Sequence, residues 1–136
     1  MKRTSLVHKS VLLLLVVNLW AGTALAGAPL KVWVDHNGSL SPNGEVVTVS
    51  GKIRCAPGYE VLEAFIYVVQ DQNSSQFAAL PVTCDGRMHP FVVTVLAYPD
   101  SGFHAGAATT SGYILLQDPI TGNTVSTSPT ESVRLR

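Results

Sequence analysis

The sequence is short of the residues that usually mark an enzyme or a nucleic-acid binder. Beyond residue 27 it has two cysteines and three histidines, and only 13% of the whole chain is charged. The cysteines, Cys55 and Cys84, are not in a Cys-x-x-Cys arrangement, which excludes a thioredoxin-like redox motif. His36, His89 and His104 lie far apart with no His-x-x-x-His or Cys/His spacing, so no metal centre is expected. No Gly-x-Ser-x-Gly elbow occurs, and serines without an elbow or a paired base do not specify a nucleophile. The expectation is a protein without catalytic residues, metal or cofactor.

Long apolar runs are equally scarce. The one strong run, Val11–Val17, follows Lys2, Arg3 and Lys9 and precedes Ala24-Leu25-Ala26. A positive segment, a short apolar core and a small-x-small site are the three parts of a secretory signal peptide. Interruption at Asn18 and Thr23 leaves the run short of the roughly 20 apolar residues of a membrane span. Residues 1–26 therefore read as a cleaved signal and 27–136 as a single exported domain, secreted and without stable membrane anchoring. The last residues, Glu131–Arg136, are charged and lack the tail of a GPI signal.

Removing the signal alters the charge balance. Three of the nine Lys and Arg go with it, so six cations face nine carboxylates and the exported part is near −3. A mildly acidic, well-spread surface implies no footprint for nucleic acid or anionic membranes. In an oxidising compartment the simplest fate of two cysteines in one small domain is a structural disulfide, Cys55–Cys84.

What is abundant is Val, Thr, Ser and Gly in strand-like order. Val47, Val49, Gly51, Ile53 and Cys55 alternate with Thr48, Ser50, Lys52 and Arg54, predicting a half-buried strand over Glu45–Cys55. Phe91, Val93, Val95 and Ala97 repeat the pattern against Val92, Thr94 and Leu96. Leu30–Val34 is a shorter strand, ended by the turn-like Asp35-His36-Asn37-Gly38. Tyr59–Gln70 carries helix formers at Glu60, Leu62, Glu63 and Ala64. Its β-branched and aromatic density from Phe65 onward favours a central strand covered on both sides. Gln76–Cys84 with Pro81 reads as an edge strand, followed by His104–Gln117 and a final Thr124–Leu135. Seven strands with regular turns predict an all-β, antiparallel, immunoglobulin-like β-sandwich with one disulfide.

Few residues invite a functional reading. Glu63 shares a strand parity with Val61, Phe65, Tyr67 and Val69. If buried there, it would be raised in pKa and want Lys52 or Arg54 as a partner; the exposed end of the strand is the simpler placement. Asn37-Gly38-Ser39 and Asn73-Ser74-Ser75 are sequons in expected loops. Trp33, Tyr98 and Phe103 are aromatic residues in or near loops. The Tyr98–His104 loop joins Tyr98, Asp100, Phe103 and His104 into a candidate binding loop, since strand connections commonly carry recognition.

Val47-Thr48-Val49-Ser50-Gly51 leading to Cys55, then Val82-Thr83-Cys84-Asp85-Gly86, then Phe103-His104-Ala105-Gly106-Ala107-Ala108, resembles a family of small exported actinobacterial proteins of uncharacterised function. Phe91 stands where that family usually has Trp. The resemblance implies a disulfide-linked immunoglobulin-like sandwich and supplies no catalytic residues. The chain is also loosely similar to the neocarzinostatin-type carrier sandwiches, which hold a hydrophobic small molecule; those have two disulfides. The leading expectation is thus a secreted, non-enzymatic binding or interaction domain for an extracellular protein or small molecule. A small-molecule carrier is the alternative, and a small hydrolase or protease inhibitor a third. Exported protein is expected to begin at Gly27 by N-terminal sequencing; recovery only from membranes with residues 1–26 intact would contradict the signal reading.

Overall fold

A computed structural model describes residues 28–136; residues 1–26, expected from the sequence to be a cleaved signal, lie outside the described residues. The described chain is all-β: β1 (Leu30–Val34), β2 (Asn37–Leu40), β3 (Val46–Cys55), β4 (Glu60–Gln70), β5 (Asn73–Ser74), β6 (Ala78–Ala79), β7 (Met88–Leu96), β8 (Gly106–Gln117), β9 (Thr124–Thr127) and β10 (Thr130–Leu135). Two layers face each other. One is β1-β3-β7 with β2 on the end of β3; the other is β10-β8-β4, extended by β5, β6 and β9. Every pairing is antiparallel except the short β10–β2 contact.

The two-residue alternation builds the core. Val47, Val49, Ile53 and Cys55 of β3, with Phe91, Val93 and Val95 of β7, point inward against Ile66 and Val68 of β4 and Ile114 and Leu116 of β8. Each such aliphatic or aromatic side chain, moved out of water, stabilises the fold by about 1.5–3 kcal/mol. β4 would fall out of phase but for a bulge between Val61 and Glu63, where the register with β8 shifts. The extra residue, Leu62, lets Val61 and then Ala64, Ile66 and Val68 all pack on the core.

The layers are sewn together on both sides. On one side β2 lies parallel to β10 and antiparallel to β3: Arg134 N–H donates to the His36 carbonyl (2.7 Å) and Leu40 N–H to the Arg136 carbonyl (2.9 Å). Gly38, expected as part of a turn, sits in this seam. A Cβ there would stand 3.1 Å from Leu135 Cδ2 and 3.3 Å from the Thr48 carbonyl. On the other side the chain changes layers at Ser75–Gln76. Ser75 N–H donates to the Val68 carbonyl (2.8 Å), and Gln76 N–H donates to the Leu96 carbonyl (2.7 Å). The Ser75 hydroxyl, fully buried, accepts from Val68 N–H and donates to the Gln76 carbonyl.

Three expectations are corrected. The predicted strand Gln76–Cys84 shrinks to the two residues of β6, because Pro81 removes a ladder donor and the chain must travel from β4 to β7. The predicted strand Thr124–Leu135 splits at Ser128-Pro129 into β9 and β10, both against β8. The outer face of β4 is covered by no third layer. Phe77 folds back onto it, stacked on Phe65 at 4.8 Å between centroids and tilted over Tyr67 at 5.1 Å, with Tyr113 beside Phe65. Pro90, inside β7, falls among the residues whose backbone points away from β3, as the Leu96 carbonyl does toward Gln76, so its missing N–H costs no ladder bond.

Cys55 and Cys84 form a disulfide, Cα–Cα 4.4 Å, between the end of β3 and the loop entering β7. Those strands are neighbours in one layer, so the bond does not cross the core as the antibody disulfide does. It ties down the loop that replaces the missing strand. Closing 29 residues of sequence separation, it contributes about 3–4 kcal/mol by restricting the unfolded chain. The Cys55→Ser/Cys84→Ser variant should lose about that much stability in equilibrium denaturation while keeping its β-type circular dichroism.

Candidate functional site

The Tyr98–Ala105 segment leaves β7 and returns to β8, and its floor is built before its tip. Phe103 is buried, 6% exposed, and belongs to the core. Its expected place on an exposed recognition surface is therefore corrected: the ring fills the space at the end of the sandwich, and its N–H donates to the Gly44 carbonyl (2.8 Å). Gly44 adopts φ 73°, and a Cβ there would run into the Phe103 carbonyl, so the 41–44 turn and this loop fit only with glycine.

Buried Gln70, at the end of β4, holds the next residues. Its Oε1 accepts from His104 N–H (2.9 Å), and its Nε2 donates to the carbonyls of His104 (2.8 Å) and Ala107 (3.2 Å). Asn73 Nδ2 donates to the Gly102 carbonyl (2.8 Å). Asn73 is thus a half-buried member of β5 rather than a free loop asparagine, with one Nδ2 hydrogen committed to this bond. The other sequon residue, Asn37, is exposed at the start of β2.

Above this floor the tip is open. Tyr98 is 49% exposed, and Asp100 is exposed in the left-handed region at φ 66°. The Ser101 N–H and hydroxyl both donate to the Tyr98 carbonyl (3.1 Å each), which sets the turn. Tyr98, Asp100 and Ser101 wall a groove of about 350 Å³ whose other side is Glu45, Gln76 and Leu96. Its volume is at the small end for ligand sites. The lining carries two carboxylates and no lysine or arginine, with Asn43 Nδ2 donating to Glu45 Oε2 (3.0 Å). Glu45 and Gln76 had no signal in the sequence: Glu45 reaches the loop through the pairing of β3 with β7, and Gln76 through its N–H bond to the Leu96 carbonyl.

His104 faces away from the core, its Nε2 3.0 Å from Asp71 Oδ2 and its Nδ1 3.0 Å from the Ala105 carbonyl. The Asp71 hydrogen bond and then the Ala105 carbonyl favour the doubly protonated ring, raising His104 above its ordinary 6.5. With an acceptor on each nitrogen, the ring links Asp71, just past the end of β4, to the loop. A second pair, His89 Nε2 with Asp85 Oδ2 at 2.7 Å, lies at the start of β7. Asp85 is held below its ordinary value, first by the Arg87 N–H and then by His89. Glu63 is exposed on the outer face of β4 opposite Leu115; Lys52 and Arg54 belong to the other layer and do not partner it. Among the described residues no three His, Cys, Asp or Glu side chains converge as metal ligands.

No protein-family model matches the chain, and no curated protein matches it.

Because folding raises the His104 pKa, the pair's stabilisation is full below about 6.5 and is lost as pH rises through the folded value. An NMR titration should find His104 above 6.5 in the native protein and closer to it in Asp71→Asn. The stability difference between the two proteins should be larger at mildly acidic pH than at alkaline pH.

Proposed function

We propose that the protein is an exported, non-enzymatic binding domain that takes its partner in the groove between Tyr98–Ser101 and Glu45. The observation that carries this is the groove itself. An exposed tyrosine and Asp100 stand on a loop whose base is pinned by Phe103, Gln70 and Asn73, and Glu45 faces them from the other wall. A tyrosine held on a fixed base offers contact area at little entropic cost, as binding anchors do. The carboxylates favour a partner that presents a cation beside an apolar group. The groove is open to solvent, which favours a surface-docked partner over a buried hydrophobic cargo.

The disulfide supports an extracellular placement, since such bonds persist in oxidising compartments. An immunoglobulin-like assignment is supported by the layers: β1, β3 and β7 take the places of strands A, B and E, and β4, β8 and β10 those of C, F and G.

The test is capture from the native extracellular medium by the wild-type domain, compared with Tyr98→Ala/Asp100→Asn. Asparagine tolerates the left-handed backbone and removes only the charge. The double variant should bind the captured partner at least about tenfold more weakly, as loss of a tyrosine anchor implies. Undiminished capture would place recognition elsewhere.

A further inference from the structure

We propose that the outer face of the β1-β3-β7 layer is a docking surface for a bilayer containing anionic phospholipid. The register sets its composition. Lys31 stands directly opposite Arg54, which stands opposite Met88; in the next row Trp33 stands opposite Lys52, and Lys52 opposite Pro90. Val92 follows opposite Ser50. Neighbouring strands are about 4.8 Å apart, so these two rows gather three cations within about 10 Å across the sheet.

Half of the six cations beyond the signal therefore share one small area of a domain whose net charge is near −3. The well-spread surface expected from composition is corrected here. Like charges set directly opposite each other cost stability. The ion pairs of the described residues are the two His–Asp pairs, so Lys31, Lys52 and Arg54 have no described carboxylate to offset that cost. Asp35 and Asp85 flank the face, and both are engaged: Asp35 accepts from the Ser50 hydroxyl, and Asp85 from Arg87 N–H and His89.

The apolar side chains decide which polyanion fits. Trp33 is 43% exposed, Met88 46% and Val92 71%, all on the face that carries the cations. A polyanionic glycan or nucleic acid would neutralise the charges and leave Met88 and Val92 in water. A bilayer surface meets both needs: headgroup phosphates take the lysines and arginine, while Trp33, Met88 and Val92 enter the interface. The attachment is shallow, reversible and salt-dependent, unlike an anchor. It is separate from the Tyr98 groove, with which it shares none of these residues.

The test uses residues 27–136, since the described core runs from Leu30 to Leu135 and closes on itself. Trp33 is the sole tryptophan of that stretch and so reports its own environment. With vesicles of phosphatidylcholine mixed with phosphatidylglycerol, Trp33 emission should shift to the blue and the protein should co-sediment. Vesicles of phosphatidylcholine alone should give neither. Raising salt should release the protein, because the Debye length falls from ~10 Å at 0.1 M to ~3 Å at 1 M. Lys31→Ser, Lys52→Ser and Arg54→Ser should each weaken binding about fivefold, the equivalent of ~1 kcal/mol per cation. The triple variant should melt no lower than wild type, since it removes opposed like charges. If the triple variant does not fold, the three single variants carry the test, and the charge-preserving Lys31→Arg and Lys52→Arg should bind as wild type does. Arg134→Ser/Arg136→Ser should leave binding unchanged. Binding that survives loss of all three cations, or falls equally in the Arg134/Arg136 control, would overturn the proposal. So would binding of heparin or an oligonucleotide without binding of anionic vesicles.

Discussion

The structure depends on keeping four long strands in phase. β3, β4, β7 and β8 each present one face to the interior, and a slip of one residue in any of them would turn its apolar set outward. Local order alone does not secure that phase in β4, where Val61 and Ala64 must both point inward although three residues apart. The Leu62 bulge makes the correction. The outer face of the same strand then falls to Phe65 and Tyr67, which Phe77 covers with its own ring. One added residue thus settles the core and the surface of that layer together.

Two seams close the sandwich, and both use residues with little apolar content. Gly38 lets β2 approach both β3 and β10, and buried Ser75 supplies bonds that a bare backbone crossing would lack. The candidate groove inherits its order from the same economy. Gln70 and Asn73, polar residues at the end of β4 and in β5, give their amides to the loop backbone, and Gly44 leaves room for it. Rigid support below and an open tip above are the arrangement expected of a recognition loop.

Much of the fold was legible because the strongest signals were local. Val47 to Cys55 and Phe91 to Val95 alternate so regularly that strand, inward face and the end position of Cys55 could be read directly. The readings failed where neighbours in sequence are not neighbours in role. Asp35-His36-Asn37-Gly38 has turn composition, yet Asn37 and Gly38 pair with β10 nearly a hundred residues later in the chain. Phe103 has the look of a loop aromatic, yet the core reaches up to take it. Of the candidate loop, Tyr98 and Asp100 stand at the groove, while His104 is tied down beside Asp71.

Alternation, cysteine count and turn chemistry are properties of adjacent residues, so the sequence by itself determined an all-β domain, the inward faces of β3 and β7 and the partner of Cys55. Which outward residues share a surface is a different kind of fact. Lys31 meets Arg54, and Trp33 meets Lys52, only through the register of β1 on β3; Glu45 meets Tyr98 only because β3 and β7 run side by side. Composition counts charges without placing them. Tertiary structure alone turned scattered cations into one basic face and a plain loop into the wall of an acidic groove, because strand register brings distant residues within a few ångströms.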